Sequence, residues 1–202
     1  MIAEYLDEHY SDPNTHGARL LPEGDDSLSA YERARCRLWI DHVSSRIVPA
    51  FYRFLQHTPE KNDQYTIDDA RTELLSQTKT FVKQLLEMDE ERNEAGEEAG
   101  PWFLGNRFSL VDITLIPWAL RLFLIDHYKQ PGGVGIPESG QGGEDEEVWG
   151  RWRKWEEAVK GRGSVMSTLS EREKYIEVYK RYAEDETGSQ VGSATRGGRA
   201  MP

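Results

Sequence analysis

With 202 residues, the chain has the length of one domain, or of one domain plus fragments of another. Its 36 acidic and 25 basic residues leave a formal net charge of −11, which argues against a nucleic-acid partner or an anionic membrane surface, since both require a basic face. The one cysteine, Cys36, excludes an intrachain disulfide and implies a reducing, cytoplasmic compartment. No signal peptide and no uninterrupted apolar span is read at the N-terminus.

In chain order, Ile2, Tyr5, Leu6 and His9 recur at helical spacing with no cap before them, so residues 1–10 read as the end of a helix entered part-way. Residues 11–27 are rich in turn and breaker residues and read as a linker. Ser27 or Ser29 is expected to cap a long helix with an apolar stripe of Tyr31, Leu38, Val43, Ile47, Phe51, Phe54 and Leu55, kinked at Pro49. After a break at Thr58–Tyr65, Thr66 opens a second helix with Asp69 at its third position. Its apolar spacing runs to about Met88, and it is expected to pair antiparallel with the first.

The stretch Phe108–His127 is apolar on nearly every side, so it reads as a central helix surrounded by others. Asp112 and Arg121 lie inside it, and charges there make it a poor membrane span. Ser109 and Asp112 have the spacing of a reciprocal capping box, and Phe108 and Ile113 that of a hydrophobic staple. Pro117 cannot donate to the Ile113 carbonyl, which predicts a kink there. A Gly- and Pro-rich loop, Lys129–Gly143, precedes an amphipathic helix marked by Val148, Trp152, Trp155 and Val159. Gly161 and Gly163 end that helix, a last one covers roughly Ser170–Glu184, and 188–202 reads as an irregular tail. The fold is therefore expected to be all-α, a bundle of about five main helices.

Most combinations of reactive residues are excluded by spacing. Asp41, His42, Ser44 and Ser45 sit too close on one helix to face each other as a hydrolase triad. The histidines show no metal-ligand spacing, and G-Q-G-G and G-R-G-S lack the lysine and strand of a phosphate loop. Cys36 lies mid-helix between Arg35 and Arg37, away from any helix N-terminus that would activate it.

The segment F-L-G-N-R-F-S-L-V-D-I-T-L-I-P-W resembles the centre of the C-terminal helical domain of soluble glutathione transferases, and I-P-W-A-L-R is most similar to the omega class, especially its fungal members. E-Y-L-D-E-H-Y resembles the closing turns of that family's thioredoxin-like N-terminal domain. The resemblance thus implies a remnant of that domain at 1–10, a linker at 11–27 and a glutathione transferase C-terminal-like helical bundle at 28–187. It implies a parent activity of glutathione-dependent thiol transfer, reduction or conjugation, with glutathione as co-substrate and no metal. It also implies that the glutathione site and the cysteine nucleophile lie outside these residues, so the sequence as read is not expected to catalyse the reaction by itself. Matched singly, Trp118 and Arg121 fall on pocket-facing positions of the central helix, Ile47, Phe51 and Phe54 on the facing side of the long helix, and Tyr179 on the last helix. Arg172 and Tyr175 are its less securely matched neighbours. The expected partner is a small hydrophobic or aromatic electrophile, or a glutathionyl mixed disulfide, with a homodimer possible. The rivals are a catalytically inactive ligand-binding or protein-interaction module, and an ordinary enzyme seen incompletely because of a misassigned start.

Overall fold

The structure, a computed structural model, describes residues 2–11, 17, 19–24, 26–59, 64–188 and 194. Nine α-helices are present among them: α1 (Ile2–Tyr10), α2 (Ser27–His42), α3 (Val48–Leu55), α4 (Ile67–Glu94), α5 (Leu110–Ala119), α6 (Leu122–Tyr128), α7 (Glu146–Gly161), α8 (Gly163–Met166) and α9 (Arg172–Ala183). Apart from two isolated bridges at 102–107, no extended pairing occurs among the described residues, so the expected all-α fold is the observed one. The expected tail at 188–202 lies almost wholly outside the described residues.

The long helix departs from its expected form in three ways. Its cap is Asp26, not Ser27 or Ser29. Asp26 has the extended backbone a cap needs, and its carboxylate accepts from the N–H groups of Leu28 and Ser29, each at 3.0 Å. Between α2 and α3 the chain widens into a π-helical turn, Val43–Ile47, in which the Val48 N–H bonds to the Val43 carbonyl. This turn adjoins Pro49, whose missing N–H and bulky ring disfavour a regular continuation, so the distortion lies just upstream of the proline. Finally, Tyr31 and Leu38, expected in the buried stripe, are 56% and 70% exposed; only from Val43 onward does the stripe enter the core. Together with exposed Ile2, Tyr5 and Leu6 of α1, they leave apolar side chains at the α1 and α2 surface.

Side-chain pairs set the direction of packing. Arg35 pairs with Glu91, His42 reaches the Gln77 carbonyl and Arg53 pairs with Glu73. Partner numbers fall as those of α2 and α3 rise, so α4 runs antiparallel to both. Thr66 and Asp69 make the expected reciprocal box at the start of α4. On its other side α4 packs against α7, while α5 packs against α2, and α9 against α6 and α3. The linker is anchored as well. Asp7 of α1 accepts from the N–H groups of Leu20 (2.7 Å) and Leu21 (3.1 Å), and the Leu20 carbonyl accepts from the Leu110 N–H at 3.1 Å.

The central stretch is not one helix. Its apolar run divides into α5 and α6, with the break at Leu120–Arg121 rather than at Pro117. The Leu120 N–H still reaches the Ile116 carbonyl (3.0 Å), but the Arg121 N–H turns to Trp118 (3.1 Å), which strips the Pro117 carbonyl of its backbone donor. The Arg121 side chain supplies a replacement, Nη1 donating to Pro117 O at 3.0 Å. The expected staple gives way to an aromatic contact. Phe108 meets the Trp102 ring at 4.8 Å and lies under the Arg162 guanidinium at 3.8 Å, while Ile113 is 36% exposed.

Candidate functional site

The start of α5 is sealed. Ser109 and Asp112 are fully buried. The Asp112 carboxylate accepts four hydrogen bonds: from Ser109 N–H (2.9 Å), Ser109 Oγ (2.6 Å), Phe103 N–H (3.1 Å) and Trp155 Nε1 (2.8 Å). The Asp112 N–H reaches back to Ser109 Oγ at 3.3 Å. Burial pushes the Asp112 carboxyl above the usual range, and its donors pull it back down. One carboxylate thus ties α5, the 102–107 loop and α7 together, with no route to solvent. This is a folding element, as the capping spacing implies.

The end of α5 is open. Here the structure gathers three of the residues singled out in the sequence around the guanidinium of a fourth, Arg121. Arg121 lies 5.1 Å from the Tyr175 ring, 5.9 Å from Trp118 and 6.0 Å from Tyr179. These contacts are cation–π in character, the ring faces being the negative pole of each quadrupole. Apart from its bond to Pro117, the guanidinium has no carboxylate partner among the described residues, and its Nε is buried without a hydrogen-bond acceptor. A cavity of about 280 Å³ opens beside it, lined by Pro117, Leu120, Arg121 and Phe123 on one side and by Leu169 and Tyr175 on the other.

Trp118 and Tyr179 back this site through an aromatic cluster. Trp118 packs on Phe51 (5.5 Å) and Tyr52 (5.4 Å), and Tyr179 packs on Tyr182 (5.7 Å), which also meets Tyr52 (5.8 Å). Burial, and next the neighbouring Tyr179 phenol, push the Tyr52 hydroxyl well above its ordinary range, so it stays protonated. Ile47, Phe51 and Phe54 do not stand on the cavity wall. They are 3%, 0% and 0% exposed, because the turn before Pro49 rotates this side of the helix into the core; Phe51 reaches the site only through Trp118.

Other reactive groups are engaged elsewhere. Burial pushes the Cys36 thiol up to about 12, far from thiolate chemistry at neutral pH. His42 is held below its usual pKa by burial and bonds to the Gln77 carbonyl at 3.1 Å, while the Ser44 hydroxyl donates to the Ile40 carbonyl at 2.9 Å. Among the described residues no cluster of His, Cys, Asp or Glu could hold a metal ion, and no helix is long and apolar enough to cross a membrane. Sequence reasoning missed one wall of the cavity, Val165–Ser170. Its glycines at 161 and 163 signalled a helix end but not the chain's return over α5.

Residues 63–158 match the family model described as Glutathione S-transferase, C-terminal domain. None of the curated proteins matches the chain. Among solved structures, the crystal structure of glutathione transferase Omega 3C from Trametes versicolor is similar, at 30% identity over 92% of this chain and with a TM-score of 0.60. The chain spans 64% of the length of that relative. Taken with the buried Ser109–Asp112 box at the centre of the bundle, the match identifies residues 63–158 as a glutathione transferase C-terminal domain, and the helices as a whole share the fold of the Trametes versicolor relative.

Proposed function

We propose that this chain provides the acceptor-substrate pocket of an omega-like glutathione transferase, whose reaction is glutathione-dependent thiol transfer, reduction or conjugation of a small aromatic or apolar acceptor. The observation that carries the reading is the Arg121 guanidinium, which faces a cavity with a buried, unpaired Nε and no carboxylate beside it. A protein of net charge −11 has ample carboxylates to neutralise an inward arginine, and it does so at Arg151, which bonds to Asp89 at 2.6 Å. An arginine left unpaired beside a cavity is available to an anionic group.

In thiol transfer an enzyme thiolate attacks the glutathionyl sulfur of a mixed disulfide and releases the acceptor as its thiolate; glutathione thiolate then attacks the enzyme–glutathione disulfide, forming oxidised glutathione and restoring the enzyme thiolate. The resemblance assigns the nucleophile and the glutathione site to a thioredoxin-like domain. The residues described here would bind and orient: Arg121 by charge and Tyr175 by its ring face, with Trp118 and Tyr179 supporting the guanidinium from behind. The rival reading, an inactive ligand-binding or interaction module, draws support from Cys36, the one thiol of the chain, which is buried and protonated. Exposed Tyr5, Leu6 and Leu38 favour association with a second copy or another domain in either case.

Calorimetric titration with 3-phenylpropanoate, a compact aromatic acid, tests the pocket. Binding is expected in the parent and should weaken about tenfold or more in Arg121→Gln, the loss of a charge-assisted hydrogen bond. Equal affinity in both proteins overturns the pocket assignment. No reduction of the mixed disulfide of glutathione and 2-mercaptoethanol above a heat-inactivated control is expected from these residues alone; clear reduction would overturn the assignment of the nucleophile to another domain.

A further inference from the structure

A second cleft of about 600 Å³ lies on the far side of Phe123, between α6, the 132–137 loop and α7. Its apolar lining includes Leu122, Val134, Ile136 and Trp152. The two cavities share Leu120, Phe123 and Arg172, so one residue layer divides them. That layer is a stack, with the Arg172 guanidinium 4.3 Å over the Phe123 ring.

The charges around the larger cleft are otherwise engaged. Asp126 accepts from the Val134 N–H at 2.9 Å, Lys160 pairs with Glu156 at 2.9 Å, and Arg153 bonds to Glu146 and to the Pro137 carbonyl. Arg172, on the dividing layer, has no carboxylate partner among the described residues. Arg121 on the smaller cavity also lacks a carboxylate partner, but it is half-buried with its Nε unsatisfied, whereas Arg172 is exposed. Two arginines without a carboxylate partner therefore border a small cavity that adjoins, across one aromatic ring, a larger cleft of mixed polar and apolar lining.

We infer that the acceptor site is bipartite and takes elongated amphipathic acids, with the acid group between Arg121 and Arg172 and the apolar body passing Phe123 into the larger cleft. This rests on the reading of Arg121 as a ligand-facing group. The smaller cavity falls just below the volume of usual drug-sized sites, about 300–1,000 Å³, whereas the larger one lies within it. An acid whose chain stops at Phe123 leaves the larger cleft wet, and each methylene placed there adds burial.

The test is calorimetric titration of the full chain with 3-phenylpropanoate, 8-phenyloctanoate and the neutral 8-phenyloctanamide. The parent should bind the longer acid more tightly, by up to about fourfold for each methylene seated in the cleft. Arg172→Gln should weaken the acids about tenfold and leave the amide within about twofold, and Arg172→Lys should recover most of that loss. Leu122→Trp, which fills the larger cleft, should erase the chain-length gain while 3-phenylpropanoate binds as it does to the parent. Equal affinity of the two acids for the parent, or an unchanged gain in Leu122→Trp, overturns the bipartite site and leaves the Arg121 pocket standing. If neither acid binds the parent, the pocket reading fails as well.

Discussion

The two ends of α5 are ten residues of one apolar helix, yet they treat polar groups in opposite ways. At the start, Asp112 is buried and four donors point at it. At the end, the helix breaks, a carbonyl is rescued only by the Arg121 side chain, and the Arg121 Nε has no partner. A satisfied buried network rigidifies its surroundings, whereas an unsatisfied group beside a cavity is a cost that a ligand can remove. The start of α5 therefore builds the domain and its end is free to bind.

The sharpest way to break this contrast is at the sealed end. Asp112→Ala leaves the Trp155 indole, two backbone N–H groups and the Ser109 hydroxyl without their acceptor, and should cost about 3–5 kcal/mol in a denaturant unfolding titration. A loss below about 1 kcal/mol would mean that the network is not holding the bundle.

Cys36 measures how well that end is sealed. Its folded pKa is raised from 9.0 to about 12, so the stability linked to the neutral thiol is fully present below pH 9 and is lost as pH rises through 12. By pH 11 the parent should have lost on the order of 2 kcal/mol that Cys36→Ala keeps. Rapid reaction of the folded parent with a thiol reagent at pH 8 would contradict the burial.

The Arg35–Glu91 pair, at the surface and apart from both ends, sets the lower bound. Hydrogen bonding from Arg35 holds the Glu91 carboxyl below its ordinary 4.5, so the stability it contributes is present above that value and is lost as pH falls through the folded pKa. The Glu91 side chain is 54% exposed, so Glu91→Gln should cost less than about 1 kcal/mol at pH 7, and the difference should vanish in acid. A larger cost, measured by thermal unfolding across pH, would show that surface pairs rival the buried network.

Much of this contrast was readable in the residues, though unevenly. The S-x-x-D spacing at Ser109 reported a local hydrogen-bond geometry, which a sequence carries directly. Asp26 displaced Ser27 and Ser29 as the α2 cap because three capping residues lie almost together and the backbone chose the extended one. The break at Leu120–Arg121 was hidden in an unbroken apolar run; Pro117 flagged a distortion three residues early, because the compensating bond from Arg121 is made by a side chain. Tyr31 and Leu38 carry the same helical spacing as Val43 and Ile47 yet are exposed, since periodicity identifies a face and not what covers it. At the candidate site, Arg121 stood out as a charge in an apolar helix, and Tyr175 and Tyr179 came from the resemblance. The large cleft under the 132–137 loop was not legible, because Gly and Pro mark a turn without saying which helix the turn faces.

The most direct measurement of the division between the two ends pairs affinity with stability on the same samples. The affinity for 3-phenylpropanoate and the free energy of unfolding would be determined for the parent, Ser109→Ala and Arg121→Gln. Ser109→Ala should lose about 1–2 kcal/mol of stability, from its cap, and keep the parent's affinity. Arg121→Gln should lose about tenfold or more in affinity and no more than about 1 kcal/mol in stability. Parallel losses of both quantities in both variants, or parental affinity in Arg121→Gln, would contradict the account.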